Sequence, residues 1–93
     1  MRLIRSVQRT VPPAARAQYL QLLQEFSAGA TAAGQVKGFY LVENVERPGD
    51  FCEFWEYADQ AHADSHAERA ALGRQLADLL PDTPDVSHWQ QRL

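Results

Sequence analysis

The stretch that decides the fold is residues 51–57, FCEFWEY, which is followed at once by residues 58–66, ADQAHADSH. Apolar and aromatic side chains occupy both parities of residues 51–57, which is typical of a β-strand that is covered on both faces. Asp59 then stands where an aspartate can accept a hydrogen bond from the first turn of a helix. The stretch therefore predicts a buried strand that runs directly into a helix.

The segment before it predicts the partner strand of a hairpin. Residues 36–46 carry apolar side chains on both parities, with Val36, Tyr40 and Val42 on one and Phe39, Leu41 and Val45 on the other. Residues 47–50, RPGD, form a strong turn signal directly before Phe51. The two strands are therefore predicted to pair as a β-hairpin.

The first third of the chain predicts a strand and a helix. Residues 3–11 alternate imperfectly between apolar and charged side chains, and Pro12-Pro13 ends the strand. From Ala14 to about Ala30, apolar residues recur every three or four positions, which predicts an amphipathic helix. Gly34 is a candidate for a left-handed cap beyond that helix.

The last third predicts a second helical region and a closing strand. The helix that Asp59 caps is rich in alanine at first, and this part is expected to be a separate short helix that bends near Ser65. Its later part has a core face of leucines and stops at Pro81. Residues 86–93 close the chain as a short strand.

This order of elements predicts one α+β domain, residues 1–93, with the ferredoxin-like βαββαβ plan. Four antiparallel strands would carry both helices on one face of the sheet. Strands two and three are apolar on their other side as well, so a second copy of the sheet is expected to cover it. We therefore predict a homodimer in which two sheets pack face to face.

Composition limits the function classes. The 93 residues carry a net charge of -3, which removes the electrostatic driving force for binding nucleic acid. The longest apolar runs are far too short to span a membrane, and charges interrupt the N-terminus where a signal peptide is apolar. A cytoplasmic protein is expected.

Cys52 is the only cysteine, so a disulfide within the chain and a cysteine-rich zinc site are excluded. Cys52 itself is expected to be a small buried apolar residue.

Two histidines, His62 and His66, are four residues apart on the second helical region. That spacing suits a metal chelate, and a histidine also serves as a base near neutral pH. Ala63 stands where the metalloprotease pattern needs glutamate, and a third ligand would have to be His88 or Glu53. The plainer alternative, which we prefer, is that His66 hydrogen-bonds in the corner between strand and helix and His62 is solvated. No metal is expected.

The aromatic residues and glutamates of the hairpin have two interpretations. The aromatic set either lines a flat pocket or fills the core and the dimer interface, and Tyr40, Tyr57 and Trp55 suit a pocket best because they carry polar tips. Glu53 and Glu56 lie on opposite parities, so one of them is expected to face inward or towards the dimer. An inward carboxylate needs a cationic partner, for which the chain offers three arginines: Arg5, Arg9 and Arg92.

The sequence resembles the antibiotic biosynthesis monooxygenase-like family of dimeric α/β-barrel proteins. The resemblance covers nearly the whole chain and is carried by the strand that ends at Pro12-Pro13, by residues 34–39, GQVKGF, and above all by residues 53–66, EFWEYADQAHADSH. It implies a homodimeric barrel with one pocket per protomer between sheet and helices. In some members this pocket serves cofactor-free oxygenation of aromatic compounds. Haem-degrading members carry an asparagine on the first strand and a tryptophan on the second helix, and both are missing here.

The resemblance and the candidate residues together predict a cofactor-independent monooxygenase that acts on a small aromatic compound of quinol or anthrone type. No cofactor is expected. The predicted catalytic residues are His66, Trp55 and Asn44, and the predicted ligand-binding residues are Tyr40, Tyr57, His62 and Arg92. One alternative is a dimeric barrel that binds a small ligand or acts in a stress response without catalysis. A third is a structural or regulatory interaction module.

Overall fold

The computed structural model describes residues 2–64 and 68–93, which form one four-stranded sheet and its helices. A short 3-10 helix, Pro13–Ala15, leads into the first α-helix. The elements in chain order are β1 (Leu3–Thr10), α1 (Arg16–Ala32), β2 (Gly38–Glu43), β3 (Asp50–Tyr57), α2 (Gln60–Asp64), α3 (Glu68–Leu79) and β4 (Asp85–Gln90). None of the helices described is both long and apolar enough to cross a membrane.

The sheet has the strand order β2-β3-β1-β4, and every pair of neighbours is antiparallel. The hairpin of β2 and β3 forms one side, and β1 lies between β3 and β4. The register places Trp55 opposite both Phe39 of β2 and Arg5 of β1. This arrangement, with the helices on one face, confirms the predicted ferredoxin-like fold.

Several elements are shorter than the sequence predicts. β2 ends at Glu43 rather than at residue 46, because the Asn44 side chain accepts hydrogen bonds from the backbone N–H groups of Glu46 and Arg47 and turns the chain. β4 ends at Gln90 rather than at Leu93. The predicted bend near Ser65 lies outside the described residues, although α2 ends at 64 and α3 begins at 68.

The helix face of the sheet, which we define as the side carrying the odd-numbered residues of β1 and β3, holds the core. Tyr19 and Leu23 of α1 and Leu76 of α3 are buried against it. The strands contribute buried side chains that include Leu3, Val7, Phe51, Trp55 and Tyr57. Alternation along β3 is regular, with every odd residue buried and every even residue half-buried.

The open face, which we define as the side carrying the even-numbered residues of β1 and β3, has no helix over it. Tyr40, Val42 and Trp89 are 59%, 49% and 56% exposed there. The half-buried side chains between them are also largely apolar: Ile4, Cys52 and Phe54. The Trp89 indole donates a hydrogen bond to the Ser6 hydroxyl at 2.8 Å, which fixes one large aromatic ring across this face.

Two glycines have a positive φ, of which Gly34 was predicted as a left-handed cap and Gly49 as part of a turn. Gly34 follows α1 with φ of 74°, and Gly49 closes the β2–β3 hairpin with φ of 97°. Gly49 also lies against β1, since its carbonyl accepts a hydrogen bond from Val11 N–H at 2.8 Å. A Cβ at position 49 would lie 3.0 Å from the Val11 carbonyl oxygen.

We expect Gly49→Ala to lower the free energy of unfolding by about 1–3 kcal/mol, because it combines an unfavourable φ with a steric contact on backbone. Gly73→Ala is the matched control. Gly73 lies inside α3 with open space at its Cβ position, so alanine there should raise stability by about 0.5–1 kcal/mol. Urea unfolding of both variants measures the difference, and a Gly49→Ala protein as stable as wild type would contradict the assignment of the turn.

Candidate functional site

A carboxylate, Glu53, lies in the core on the helix face, with only 1% of its surface exposed. Three donors converge on it. Arg9 Nε donates to Oε2 at 2.5 Å, the Tyr19 hydroxyl donates to Oε2 at 2.9 Å, and Trp55 Nε1 donates to Oε1 at 3.0 Å. We call these four residues the Glu53 cluster. It joins β1, α1 and β3 at one point between the sheet and the helices.

Strand geometry and helix packing place each member of the cluster. Trp55 follows Glu53 by two residues on the same strand, so both side chains point to the helix face. Val7 is directly opposite Glu53 on β1, and Arg9 is therefore its diagonal neighbour. Tyr19 comes from the buried face of α1, and its ring centroid lies 5.1 Å from that of Phe51.

The electrostatics of the cluster keep Tyr19 protonated. Burial raises the pKa of the Tyr19 hydroxyl far above its ordinary value, and the negative charge of Glu53 raises it further. The hydroxyl is therefore a permanent hydrogen-bond donor to the carboxylate. A carboxylate and a phenol at one buried point are groups of the kind used in proton transfer, and the indole N–H adds a hydrogen-bond donor.

A second ion pair lies towards the hairpin end of the helix face. Arg16 of α1 makes two hydrogen bonds to the Glu43 carboxylate, and the Arg16 guanidinium also lies 5.2 Å from the centroid of the Phe51 ring. The bond from Arg16 and a further one from Gly49 N–H lower the pKa of Glu43 to about 2. This pair is exposed to solvent, in contrast to the Glu53 cluster.

Trp55 and Tyr57, both predicted as site residues, lie together on the helix face. The Trp55 ring packs on Phe39, with centroids 4.4 Å apart. Tyr57 is fully buried. Burial raises the pKa of Tyr57, and the charge of Arg69 and its hydrogen bond to the hydroxyl oppose that rise. Both side chains are thus part of the core, and Tyr57 lies next to Trp55, a member of the Glu53 cluster, on the same side of β3.

The other predicted residues lie elsewhere. Asn44 holds the hairpin turn, and Tyr40 stands on the open face. Arg92 is exposed beyond the end of β4. The structure therefore places Trp55 and Tyr57 together, whereas Asn44, Tyr40 and Arg92 lie away from this pair.

Of the two histidines predicted as site residues, only His62 is among the described residues. His62 is exposed, and Asp59 accepts hydrogen bonds from both its backbone N–H at 2.9 Å and its Nδ1 at 2.8 Å. Asp59 thus caps α2 as the sequence predicts, and His62 lowers its pKa. His66 lies outside the described residues. Within residues 2–64 and 68–93, no group of three histidine, cysteine or carboxylate side chains is arranged to hold a metal ion.

A cavity of about 380 Å³ lies at the hairpin end of the sheet, away from Trp55. Its walls come from the hairpin ends of β1, β2 and β3, from the hairpin loop and from the loop before β4, and they include Gln8, Arg9, Asn44, Cys52 and Asp82. Cys52 is half-buried there, and burial raises the pKa of its thiol. The thiol is therefore unreactive at neutral pH.

Sequence analysis missed Tyr19 and left the partner of Glu53 open. Tyr19 was placed on the apolar stripe of α1, and nothing local distinguishes a tyrosine that bonds a carboxylate from one that only fills the core. The inward position of one glutamate was predicted, and Glu53 is that residue. Glu56 lies on the open face, where Arg2 donates to it at 3.2 Å. Of the three candidate arginines, Arg9 is the partner of Glu53.

The fold is shared with many solved structures. Neither a protein-family model nor a curated protein sequence matches the chain. A candidate antibiotic biosynthesis monooxygenase from Caulobacter crescentus CB15 superposes with a TM-score of 0.87 at 14% identity, over 99% of this chain and 91% of that one. One from Deinococcus radiodurans gives 0.85 at 13% identity, over 98% and 93%. A conserved protein from Methanosarcina mazei Go1 gives 0.87 at 12% identity, over 99% and 94%.

These similarities define the class of protein by its fold. The chain has the ferredoxin-like fold of the antibiotic biosynthesis monooxygenase-like proteins over almost its full length, as the resemblance in the sequence predicts. At these identities the likeness concerns the fold, and the activity is a separate question.

We expect Glu53→Gln to lower the free energy of unfolding by about 3–5 kcal/mol, because it leaves the Arg9 guanidinium buried without its counter-charge. Glu43→Gln breaks the exposed pair with Arg16 and should cost much less. The double variant Arg9→Met/Glu53→Leu should recover part of the loss, since it removes both buried charges together but also removes the acceptor of the Tyr19 hydroxyl and of Trp55 Nε1. Chemical unfolding of the four proteins tests this, and equal losses from Glu53→Gln and Glu43→Gln would contradict the importance of burial.

Proposed function

We propose that this protein is a cofactor-independent monooxygenase that acts on a small aromatic compound, and that it works as a homodimer. The observation that carries the proposal is the Glu53 cluster, a buried carboxylate with a phenol and an indole N–H in the layer between sheet and helices. It occurs in a fold shared with proteins assigned as candidate antibiotic biosynthesis monooxygenases. The buried acid–base group and the fold therefore both support the oxygenase proposal.

The reaction consistent with this site starts with proton removal from an acidic C–H group of a quinol- or anthrone-type substrate. The resulting carbanion gives electrons to dioxygen, a C–O bond forms, and loss of water from the hydroperoxide leaves a carbonyl group. One oxygen atom enters the product and the other leaves as water. In this proposal His66 is the base, and Trp55 and Tyr57 position the ring. Asn44, Tyr40, His62 and Arg92 stay predicted site residues whose roles would require a partner chain or a larger ligand.

Oxygen uptake with anthrone and quinol substrates tests this function. We expect wild type to consume oxygen, and His66→Ala to lower kcat by about a hundredfold, since general-base groups typically contribute that much. Arg74→Gln, an exposed change on α3, is the control and should keep full activity. No uptake above the uncatalysed rate with any such substrate would overturn the oxygenase proposal, provided that the protein is folded.

The dimer is proposed from the open face. This face displays Tyr40, Val42 and Trp89 to solvent in the single chain, and a row of exposed apolar residues on one surface is a common mark of a protein interface. A second sheet laid on it would bury these side chains. A chain of 93 residues gains much from such burial, because a domain of this size covers only a modest share of its own surface.

We expect Val42→Asp to abolish the dimer, because it places a charge on an exposed apolar position of the proposed interface. Val45→Asp is the matched control, since Val45 is 93% exposed in the hairpin loop and outside the open face. Sedimentation velocity at micromolar concentration should give a dimer for wild type and Val45→Asp and a monomer for Val42→Asp. A monomeric wild type would rule out this assembly.

Binding without catalysis is the second candidate function. It is favoured by the way in which Glu53 and Trp55 satisfy each other's hydrogen bonds, and by the position of the 380 Å³ cavity at the hairpin end of the sheet, away from Trp55. A ligand that protects the folded dimer against heat, together with no oxygen uptake, would favour this candidate over the oxygenase.

A further inference from the structure

Two arginines of the helix face have a carboxylate partner. Arg9 is paired with Glu53 and Arg16 with Glu43. Arg5, on the same side of β1, is half-buried and forms no hydrogen bond or ion pair with the side chains that the structure describes in residues 2–64 and 69–93, although Glu53, its diagonal neighbour, attracts it through space. A half-buried guanidinium that no carboxylate hydrogen-bonds is unfavourable, because burial removes water that no direct hydrogen bond replaces.

A second guanidinium lies beside it. Arg69, in the first turns of α3, is half-buried and hydrogen-bonds the Tyr57 hydroxyl. Leu3 is opposite Tyr57 in the β1–β3 register, so Tyr57 and Arg5 are diagonal neighbours on one face. Burial lowers the pKa of Arg5, and the positive charge of Arg69 lowers it further. Two guanidinium groups of the same sign are thus held together on the helix face.

This corner of the molecule is open to solvent along β4. His88 is directly opposite Arg5 in the β1–β4 register, and all residues of β4 are exposed. A single row across the sheet therefore runs from Phe39 through Trp55 and Arg5 to His88. The end of the row formed by Phe39 and Trp55 packs in the core, whereas the end formed by Arg5 and His88 reaches solvent.

We infer that Arg5 and Arg69 form a binding site for the carboxylate group of a small organic molecule, which enters over β4. Arginine presents its N–H donors in a planar fork that matches a carboxylate, and such charge-assisted hydrogen bonds are stronger than neutral ones. The Tyr57 hydroxyl and His88 supply polar neighbours at the rim. The site does not depend on oxygenase activity, because binding needs no turnover.

Equilibrium binding of naphthalene-2-carboxylate and of its neutral amide, measured by calorimetry on the intact protein without any oxidisable substrate, tests this site. We expect the carboxylate to bind wild type at least about tenfold more tightly than the amide, and this preference to disappear in Arg5→Gln and Arg69→Gln. Arg5→Lys should keep part of it. Arg74→Gln, which removes an exposed arginine from the same helix, should leave it unchanged.

Stability separates loss of binding from loss of folding. Without ligand, Arg5→Gln should melt no lower than wild type, because it removes a half-buried charge that has no partner. Equal affinity for acid and amide, or no binding of the acid at millimolar concentration, overturns the inference. So does an equal effect of Arg74→Gln, or displacement of the carboxylate by inorganic phosphate at equal concentration, which would indicate a non-selective anion patch. None of these results bears on oxygen uptake.

Discussion

The burial of one carboxylate, Glu53, is the constraint on which the rest of the structure depends. An ionised group in a protein core is tolerated only when charge and hydrogen bonds compensate for its lost hydration. Here the compensation comes from three elements, because Arg9, Tyr19 and Trp55 all donate to it. Glu53 therefore fixes how α1 docks on the sheet. It also fixes which end of β1 carries a paired arginine and which end carries an unpaired one.

The fold follows largely from local signals in the chain. The apolar run in residues 51–57, the turn at residues 47–50 and the cap at Asp59 each correspond to a simple steric or hydrogen-bonding rule, and the structure has a strand, a turn and a helix cap at these places. The predicted ends of the strands were less accurate where a side chain forms hydrogen bonds in place of the backbone hydrogen bonds between strands. Asn44 is the clearest case, since its carbonyl oxygen bonds the turn and ends β2 early.

The site was harder to predict because its geometry is non-local. Arg5 and Arg9 are both diagonal neighbours of Glu53, so strand register alone leaves the choice between them open. α1 resolves it by bringing Tyr19 and Arg16 to the Arg9 end of the sheet, whereas Arg69 of α3 lies near Arg5. No pattern along the chain encodes that packing. The consequence is a polar layer whose two ends differ, with Arg9 paired to Glu53 at one end and two neighbouring arginines, Arg5 and Arg69, at the other.

The two tryptophans of the chain lie on opposite faces of the same sheet. Trp55 is enclosed in the core beside Glu53, whereas Trp89 lies across the open face and is about half exposed in the single chain. Their fluorescence emission should therefore differ in wavelength, with Trp55 to the blue and Trp89 to the red. The molecule carries one native optical reporter for each of its two surfaces. A change inside the helix layer and a change on the outer side of the sheet are thus separable in one emission spectrum, without any added label.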